Sequence, residues 1–280
     1  MKGIILAGGK GRRLGPTTLA VNKQLLMLFD KPIIFYPLSV LLSLKIKDIL
    51  IIVNPHQIEN FKKILGNGSH LGIKISYKVQ KKPSGIPEAF ILGKEFIKNN
   101  KVCLILGDNF FYNLKLNINE IMKNNQNLII LKEVKNPEKY GVVKILNNKI
   151  QKIIEKPKKK LSNLAITGIY FFDKYAYKNA RLLKPSKRKE TEIVDLIKIY
   201  LKKNNLGFKT LNNIKWSDVG TIDDFNKISN FIKLKEFSNK KKIGCLEEIL
   251  LKNKWINKAQ VKKNINFYGE CEYSNYLKKI

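Results

Sequence analysis

The chain has 280 residues, of which 44% are hydrophobic, and carries a formal net charge of +32 at pH 7. This length and composition favour one large α/β domain and exclude a membrane-spanning protein, since no apolar run reaches the roughly 18 residues that a span needs. Because Met1-Lys2-Gly3 leads directly into an apolar strand pattern, we expect no signal peptide and a cytoplasmic location. The three widely spaced cysteines argue against a disulfide framework.

The high positive charge by itself is typical of a protein that binds nucleic acid or an acidic membrane. Only four of the 54 Lys and Arg residues are arginine, however, and the lysines are spread along the chain among many Asn and Ile residues. Base recognition favours arginine, whereas Lys, Asn and Ile share A/T-rich codons, so drift of genome composition explains the lysine excess. We expect no specific nucleic-acid partner and no membrane partner.

In the first half of the chain, short β-rich runs alternate with longer amphipathic segments. Strands are predicted at residues 2–6, 48–53, 74–79, 102–106 and 128–131. Helices are predicted near residues 32–44, 57–65, 87–97 and 118–123. Repetition of strand, crossover helix and strand predicts a mainly parallel twisted sheet flanked by helices, with ligands at the carboxyl ends of the strands.

The second half is less regular, with strands predicted at residues 142–145, 149–153 and 169–172. After about residue 233 the chain becomes a series of short, basic helical pieces. We therefore predict a main domain over residues 1–233, divided near residue 132, and a small helical C-terminal appendage over residues 234–280.

A glycine- and arginine-rich turn follows the first predicted strand. Gly8, Gly9 and Gly11 remove the Cβ atoms that would keep a phosphate away from backbone N–H groups. Arg13 and Lys23 add cationic donors for a polyanion. The spacing matches neither a Walker loop nor a dinucleotide fingerprint, which needs a third glycine. The turn predicts a site for a nucleotide or a similar phosphate ester.

Two aspartates are candidate metal ligands. Asp108 follows the apolar run 102–106 through a glycine, and Asp218 lies in the segment Trp-Ser-Asp-Val-Gly. Mg²⁺ prefers one or two carboxylates together with phosphate oxygens and water, which suits such a sparse pair. The structural alternative for either aspartate is a helix cap or a turn residue.

A collinear series of motifs resembles the sugar-nucleotide pyrophosphorylases, and among them the glucose-1-phosphate thymidylyltransferases. The series runs from residue 1 to about residue 256 and comprises LAGG-x-G-x-RL-x-P-x-T (6–18), KQLL (23–26), DKPI (30–33), YKVQ (77–80), LGDN (106–109), YGVV (140–143), EKP (155–157), TGIY (167–170) and WSDVGT (216–221). The resemblance implies a Rossmann-like nucleotidyltransferase fold and a homotetramer. It also implies transfer of a thymidylyl group from dTTP to glucose 1-phosphate by metal-assisted in-line attack, giving dTDP-glucose and pyrophosphate.

The resemblance also implies a role for each matching position. The catalytic residues are Arg13, Lys23, Asp108 and Lys156. The nucleotide-binding residues are Leu6, Gly8, Gly9, Gly11, Arg13, Gln80 and Gly85. The sugar-phosphate-binding residues are Asn109, Gly141, Glu155, Lys156, Ile166 and Arg188. Asp108 and Asp218 are the ligands of the Mg²⁺ cofactor. The first half of the chain is expected to bind the nucleotide, and the second half the sugar.

The chain departs from the family pattern at several positions. Arg12 stands where the family usually has threonine, Asn22 where it has serine and Met27 where it has proline. None of these changes removes an expected ligand, and Arg12, for which the resemblance implies no role, adds charge beside the expected triphosphate. The alternatives are a related uridylyltransferase, a non-catalytic nucleotide-sensing subunit of the same fold, and a polyanion-binding protein.

Overall fold

The structure, a computed structural model, describes residues 1–9, 11–123 and 127–280. Its contacts divide the chain into two compact units, each assembled from separate segments. Unit 1 comprises Met1–Ile4, Lys82–Ile105 and Asn113–Trp216, and unit 2 comprises Ile5–Lys81, Leu106–Tyr112 and Ser217–Ile280.

The strands and helices follow one another in an α/β order. The strands are β1 (Lys2–Ala7), β2 (Met27–Leu28), β3 (Lys31–Pro32), β4 (Asp48–Val53), β5 (Lys74–Val79), β6 (Val102–Leu106), β7 (Phe110–Tyr112), β8 (Asn127–Glu133), β9 (Gly141–Leu146), β10 (Lys149–Glu155), β11 (Leu164–Phe172), β12 (Leu206–Thr210) and β13 (Lys215–Ser217). The helices are α1 (Phe35–Ser43), α2 (Ile58–Leu65), α3 (Glu88–Leu92), α4 (Lys94–Ile97), α5 (Ile118–Lys123), α6 (Ala176–Arg181), α7 (Ile193–Lys202), α8 (Ile222–Asn239), α9 (Leu246–Lys252), α10 (Lys258–Tyr268) and α11 (Glu272–Leu277).

Unit 2 is built on parallel strands covered by helices. β4 is an almost fully buried apolar run that pairs in parallel with β5, Ile51 lying opposite Tyr77. α1 is buried on nearly every side, as expected for a helix without a polar face, and packs against α9. One core cluster of this unit joins the β2 region to α8 and consists of Leu28, Ile33, Tyr36, Phe110, Val219, Ile228 and Ile232.

Unit 1 contains an antiparallel hairpin, β9 and β10, whose turn sets its register. The turn residues Asn147 and Asn148 have φ of 49° and 55°, which a two-residue type I′ turn requires and Asn tolerates. The resulting register places Gly141 opposite Glu155. β11 runs antiparallel to β6, β8 and β9, and β12 adds to β8 in parallel.

The predicted α/β class with a mostly parallel central sheet flanked by helices is confirmed. Alternation in the sequence did not predict the antiparallel strands of unit 1. The helix predicted from residue 32 begins at Phe35, because Lys31 and Pro32 form β3 and pair with β2. The helix predicted over residues 87–97 is divided into α3 and α4 at Gly93, which has poor helix propensity.

The C-terminal region is helical, as predicted. A capping box between Thr221 and Asp224 begins α8, which continues through residue 233 to Asn239. The domain boundaries near residues 132 and 233 stay predictions. Within the described ranges, no helix is long and apolar enough to cross a membrane.

Candidate active site

The glycine-rich turn and Asp108 both follow strand ends in unit 2. β1 ends at Ala7, directly before Gly8, and β6 ends at Leu106. The N–H of Gly107 donates to the carbonyl oxygen of Leu6 at 2.9 Å, so the two loops begin side by side. This is the position at which an α/β sheet usually binds its ligand.

Asn22 holds the segment that carries Lys23. Its Oδ1 accepts a hydrogen bond from the N–H of Gln24 at 2.9 Å, and its Nδ2 donates to the carbonyl oxygen of Ala7 at 3.1 Å. The first bond caps a 3₁₀ turn over Lys23–Leu25, and the second ties that turn to the end of β1. The departure from serine at this position therefore has a structural role.

Lys23 links the two candidate metal ligands. Its side chain is only 6% exposed, and Nζ donates to Oδ2 of Asp108 at 2.7 Å and to the backbone carbonyl oxygen of Asp218 at 3.4 Å. The other carboxylate oxygen of Asp108, Oδ1, accepts from Nδ2 of the buried Asn109 at 3.0 Å. Asn109, expected to bind the sugar, thus lies directly against Asp108.

Asp218 is held in an unfavourable setting for a carboxylate. Burial raises its pKa above the usual range, and the negative charge of Asp108 raises it further. The charges of Lys23 and Arg13 act in the opposite direction but do not cancel the rise. An additional cation near the two carboxylates would relieve this repulsion.

The backbone next to Asp218 is strained. Val219 is fully buried and has a φ of 35°, in the left-handed region that a β-branched residue rarely adopts. The hydroxyl of Ser217 accepts a hydrogen bond from the Val219 N–H at 3.2 Å and supports this turn. Such strain persists at positions where the surrounding structure fixes it, often at functional sites.

Arg13 packs on the glycine that follows this strained turn. A Cβ atom built on Gly220 would lie 2.9 Å from Nη2 and 3.2 Å from Cζ of Arg13. A residue larger than glycine would therefore displace the guanidinium. Gly220 therefore helps to position Arg13. It lies in the WSDVGT motif, in which the resemblance assigned it no role.

Gln80 approaches Gly8 in the same way. A Cβ atom on Gly8 would lie 2.1 Å from Oε1 of Gln80, whose side chain is buried. The absence of a side chain at Gly8 thus sets the position of the amide that the resemblance assigns to the base. A glutamine amide both donates and accepts hydrogen bonds, which suits a pyrimidine edge.

Lys23, Asp108, Arg13 and Gly220 line one open cleft within unit 2, termed the unit 2 cleft. Its lining is cationic and rich in glycine, apart from one amide and one carboxylate, and comprises Gly9, Gly11, Arg12, Arg13, Lys23, Gln24, Asp108 and Gly220. Gln24 is buried, and its Oε1 has no hydrogen-bond partner among the described residues. Such an acceptor is normally satisfied by a ligand or an ordered water.

The donor set fits Mg²⁺. Within residues 1–9, 11–123 and 127–280, no group of three or more His, Cys, Asp or Glu side chains is arranged to enclose a metal. Asp108 and Asp218 both offer hard carboxylate oxygens, and the pKa of Asp218 is raised first by burial and then by the charge of Asp108. Two carboxylates with substrate phosphates and water are the ligand set that Mg²⁺ prefers.

In unit 1, the pairing of β9 with β10 and with β11 brings together three of the residues expected to bind the sugar. A Cβ on Gly141 would lie 3.2 Å from Oε2 of Glu155 and 3.4 Å from Cδ1 of Ile166. Lys156 follows Glu155 with a φ of 43°, and its N–H donates to the carbonyl oxygen of Tyr140 at 3.0 Å. The Lys156 side chain is exposed.

Arg188 is held by two carboxylates of unit 1. Its Nη2 donates to Oε2 of Glu192 at 2.6 Å and to Oε1 of Glu155 at 3.0 Å, and Nε donates to Oε1 of Glu192 at 3.1 Å. Ser186 also donates to Glu192, at 2.6 Å. Burial raises the pKa of Glu155, which Arg188 lowers and Glu192 raises again. We refer to Glu155, Ser186, Arg188 and Glu192 as the Arg188 cluster.

The loop that carries Gly85 is attached to the segment next to Glu192. Thr191 donates to the carbonyl oxygen of Ser84 through its N–H at 2.8 Å and through its hydroxyl at 2.9 Å. Gly85 and Thr191 form an isolated parallel bridge. Gly85, expected to bind the base, therefore belongs to unit 1, whereas Leu6, Gly8 and Gln80 belong to unit 2.

Comparison with known proteins identifies the family. The nucleotidyl transferase family profile matches residues 2–235. A glucose-1-phosphate thymidylyltransferase from Neisseria meningitidis serogroup A / serotype 4A (strain DSM 15465 / Z2491) is 42% identical over 285 aligned positions, which cover 100% of this chain and 99% of that protein. The chain belongs to the glucose-1-phosphate thymidylyltransferase family of nucleotidyl transferases. The resemblance found in the motifs is thereby confirmed.

Solved structures agree with this family. A Bacillus anthracis protein assigned as a glucose-1-phosphate thymidylyltransferase and crystallised with sucrose has a TM-score of 0.76 and 37% identity, covering 82% of this chain and 94% of its own. A UDP-glucose pyrophosphorylase complexed with UDP-glucose has a TM-score of 0.74 at 23% identity, covering 84% of this chain and 98% of its own. The second likeness shows the shared fold alone.

Proposed function

We propose that this nucleotidyltransferase transfers a thymidylyl group from dTTP to glucose 1-phosphate and releases pyrophosphate. The observation that carries the proposal is the contact of Lys23 with Asp108 and with the backbone of Asp218, beside an arginine and a glycine-rich turn. The family supplies the substrate identities, since its members are named for this reaction.

The reaction forms a bond between a phosphate oxygen of glucose 1-phosphate and the α-phosphorus of dTTP. The bond from that phosphorus to the α,β-bridging oxygen breaks, and its electron pair leaves with pyrophosphate. No general base is needed, because the attacking phosphate oxygen is already anionic at neutral pH. Catalysis then depends on in-line positioning and on neutralising charge.

In this proposal, Arg13 and Lys23 bind the triphosphate of the nucleotide in the unit 2 cleft. Arg13 offers parallel N–H donors that can hold two phosphate oxygens, and the buried Lys23 supplies a fixed point charge. The backbone N–H groups near Gly9 and Gly11 approach the phosphates without obstruction by side chains. Gln80 recognises the base.

Asp108 and Asp218 would hold Mg²⁺, which supplies charge neutralisation at the α-phosphate and the departing pyrophosphate. Burial of Asp218 and the charge of Asp108 both raise the pKa of Asp218, and a bound cation would relieve both effects, which supports this assignment. In unit 1, Glu155 would accept hydrogen bonds from sugar hydroxyls, while Lys156 and Arg188 bind the sugar phosphate.

The decisive experiment measures pyrophosphate release from dTTP with a panel of sugar 1-phosphates, and from UTP with glucose 1-phosphate. We expect the fastest release with dTTP and glucose 1-phosphate. Faster release with UTP would indicate the uridylyltransferase alternative. Nucleotide binding without release for any sugar phosphate would indicate the sensing subunit.

We further propose a cytoplasmic homo-oligomer, a tetramer by resemblance to the family. Leu234 and Phe237 lie three positions apart on α8 and are 69% and 88% exposed, which supports an interface on this helix. Sedimentation equilibrium tests the assembly, and a monomer at micromolar concentration would contradict it.

A further inference from the structure

Arg12 lines the unit 2 cleft together with the residues expected to bind the triphosphate. It shares the cleft wall with Gly11, Arg13 and Lys23. Its side chain is exposed and makes no hydrogen bond or ion pair with the part of the chain that the structure describes. The guanidinium therefore carries a full set of unused donors at the edge of an anion-binding cleft.

The backbone of Arg12 is fixed although its side chain is not. Arg12, Arg13 and Leu14 form a 3₁₀ turn in which the Leu14 N–H donates to the Gly11 carbonyl oxygen at 2.8 Å. The Leu14 side chain is buried and anchors the turn. The turn thus holds the Arg12 backbone at the cleft wall, while its exposed side chain has room to change rotamer.

The two neighbouring arginines have different surroundings. Arg13 packs on Gly220, and its charge lowers the pKa of Asp218. Arg12 lines the same cleft, but its exposed side chain makes no hydrogen bond or ion pair with the described residues. Arg13 is therefore placed beside Asp218, whereas the Arg12 guanidinium is left available to a ligand in the cleft.

A triphosphate brings more negative charge than Arg13 and Lys23 can neutralise. It carries about four negative charges at neutral pH, and the two charges of a Mg²⁺ ion would already be balanced by those of Asp108 and Asp218. Only four of the 54 basic residues of the chain are arginine, so two adjacent arginines at this turn are unusual for its composition. Arginine binds two phosphate oxygens at once, which lysine does not.

We propose that Arg12 is a second phosphate-binding arginine, which holds the outer phosphates of the nucleoside triphosphate and of the pyrophosphate product. Arg12 thereby makes the site selective for the triphosphate over the diphosphate and monophosphate. This inference rests on the proposed function, and it assigns a role to a position for which the family resemblance implied none.

The test is calorimetric binding of dTTP, dTDP and dTMP, without sugar phosphate, to the full-length protein at fixed Mg²⁺ and salt. Arg12→Thr should weaken dTTP binding by about tenfold, the scale of one charge-assisted hydrogen bond, and leave dTMP binding unchanged. Arg12→Lys should retain only part of the wild-type affinity for dTTP, because an ammonium group keeps the charge but lacks the paired N–H donors of a guanidinium. Arg181→Thr, which removes another exposed arginine, is the matched control and should bind all three nucleotides as wild type does.

Equal affinity of wild type and Arg12→Thr for dTTP would overturn the inference, as would equal weakening for all three nucleotides. Melting temperatures of the variants check that the exposed substitutions leave the fold intact.

Pyrophosphate release by the wild-type protein distinguishes a failure of the role assigned to Arg12 from a failure of the proposed function. Normal release with an unaffected Arg12→Thr variant rejects the role of Arg12 alone, whereas absent release rejects the proposed function.

Discussion

The unit 2 cleft and the Arg188 cluster both combine arginine with carboxylates, yet they differ in how far those charges satisfy each other. In the unit 2 cleft Lys23 pairs with Asp108, but Arg12 and Arg13 make no hydrogen bond or ion pair with a carboxylate of the described residues. Asp218, next to the cleft, is destabilised by burial and by the charge of Asp108. In the Arg188 cluster, one arginine makes hydrogen bonds to both neighbouring carboxylates.

This difference indicates that the two regions bind their ligands in different ways. Unsatisfied charge in the unit 2 cleft is available to a polyanion and a cation, so ligands there gain most of their binding energy from electrostatics. A sugar phosphate at the Arg188 cluster would compete for an arginine that already donates hydrogen bonds to Glu155 and Glu192. We therefore expect substitutions in the unit 2 cleft to have larger effects on the reaction.

The largest expected effect is that of Asp108→Asn. It removes a charge from the acidic pair without changing the size of the side chain. Turnover should fall by about two orders of magnitude or more, the scale of lost transition-state stabilisation, and EDTA should abolish wild-type activity. Steady-state pyrophosphate release measures both. Asp195→Asn, at a half-exposed aspartate of α7, is the control, and undiminished turnover in EDTA would contradict the account.

Gly220→Ala tests whether the position of Arg13 matters. The added Cβ would meet the end of a flexible side chain 2.9 Å away, so the guanidinium shifts while the fold remains. kcat/KM should fall about tenfold, as for the loss of one charged hydrogen bond, with an unchanged melting temperature. In an Arg13→Ala background the same substitution should have no further effect. Additive losses in the double variant would show that Gly220 acts independently of Arg13.

Glu192→Gln tests the Arg188 cluster. It weakens two hydrogen bonds that orient Arg188 and leaves the side chain the same size. KM for glucose 1-phosphate should rise about fivefold, in keeping with the net value of an ordinary hydrogen bond, while KM for dTTP stays unchanged. A loss as large as that of Asp108→Asn would remove the contrast between the two regions.

Asp218→Asn should give the smallest and opposite change, a gain in stability. Because the folded-state pKa of Asp218 is raised, its ionised form opposes folding, and the cost grows as pH rises through that pKa. The variant should melt a few degrees above wild type at pH 7 without Mg²⁺, and the difference should vanish below about pH 4, near the unfolded pKa of aspartate. Scanning calorimetry against pH measures this, and a lower melting temperature at pH 7 would contradict the destabilising effect of the buried Asp218 charge.

The sequence predicted much of the unit 2 cleft because its residues follow strand ends. The apolar runs before Gly8 and Asp108 specify parallel strands, whose carboxyl ends share one edge of a sheet. Lys23 was assigned from the motif resemblance, and its contact with Asp108 across 85 residues is visible only in the structure.

Other features needed the three-dimensional structure. The contact of Gly220 with Arg13 depends on a turn at Val219 whose φ of 35° no residue preference predicts. The antiparallel position of β11 follows from strand pairing across long sequence separations. The ion pair of Arg188 with Glu192 likewise needed the structure, because both residues lie in the loop before α7, where helical i,i+4 spacing does not apply.

The most direct test of the account compares one arginine from each region. Initial rates are measured over a grid of dTTP and glucose 1-phosphate concentrations for Arg13→Lys and Arg188→Lys. Arg13→Lys should lower kcat/KM for dTTP by about tenfold and leave KM for glucose 1-phosphate within about twofold of wild type. Arg188→Lys should raise KM for glucose 1-phosphate alone. If each variant changed the kinetic constants for dTTP and for glucose 1-phosphate to the same extent, nucleotide and sugar binding would not be separated between the unit 2 cleft and the Arg188 cluster, and the account would be contradicted.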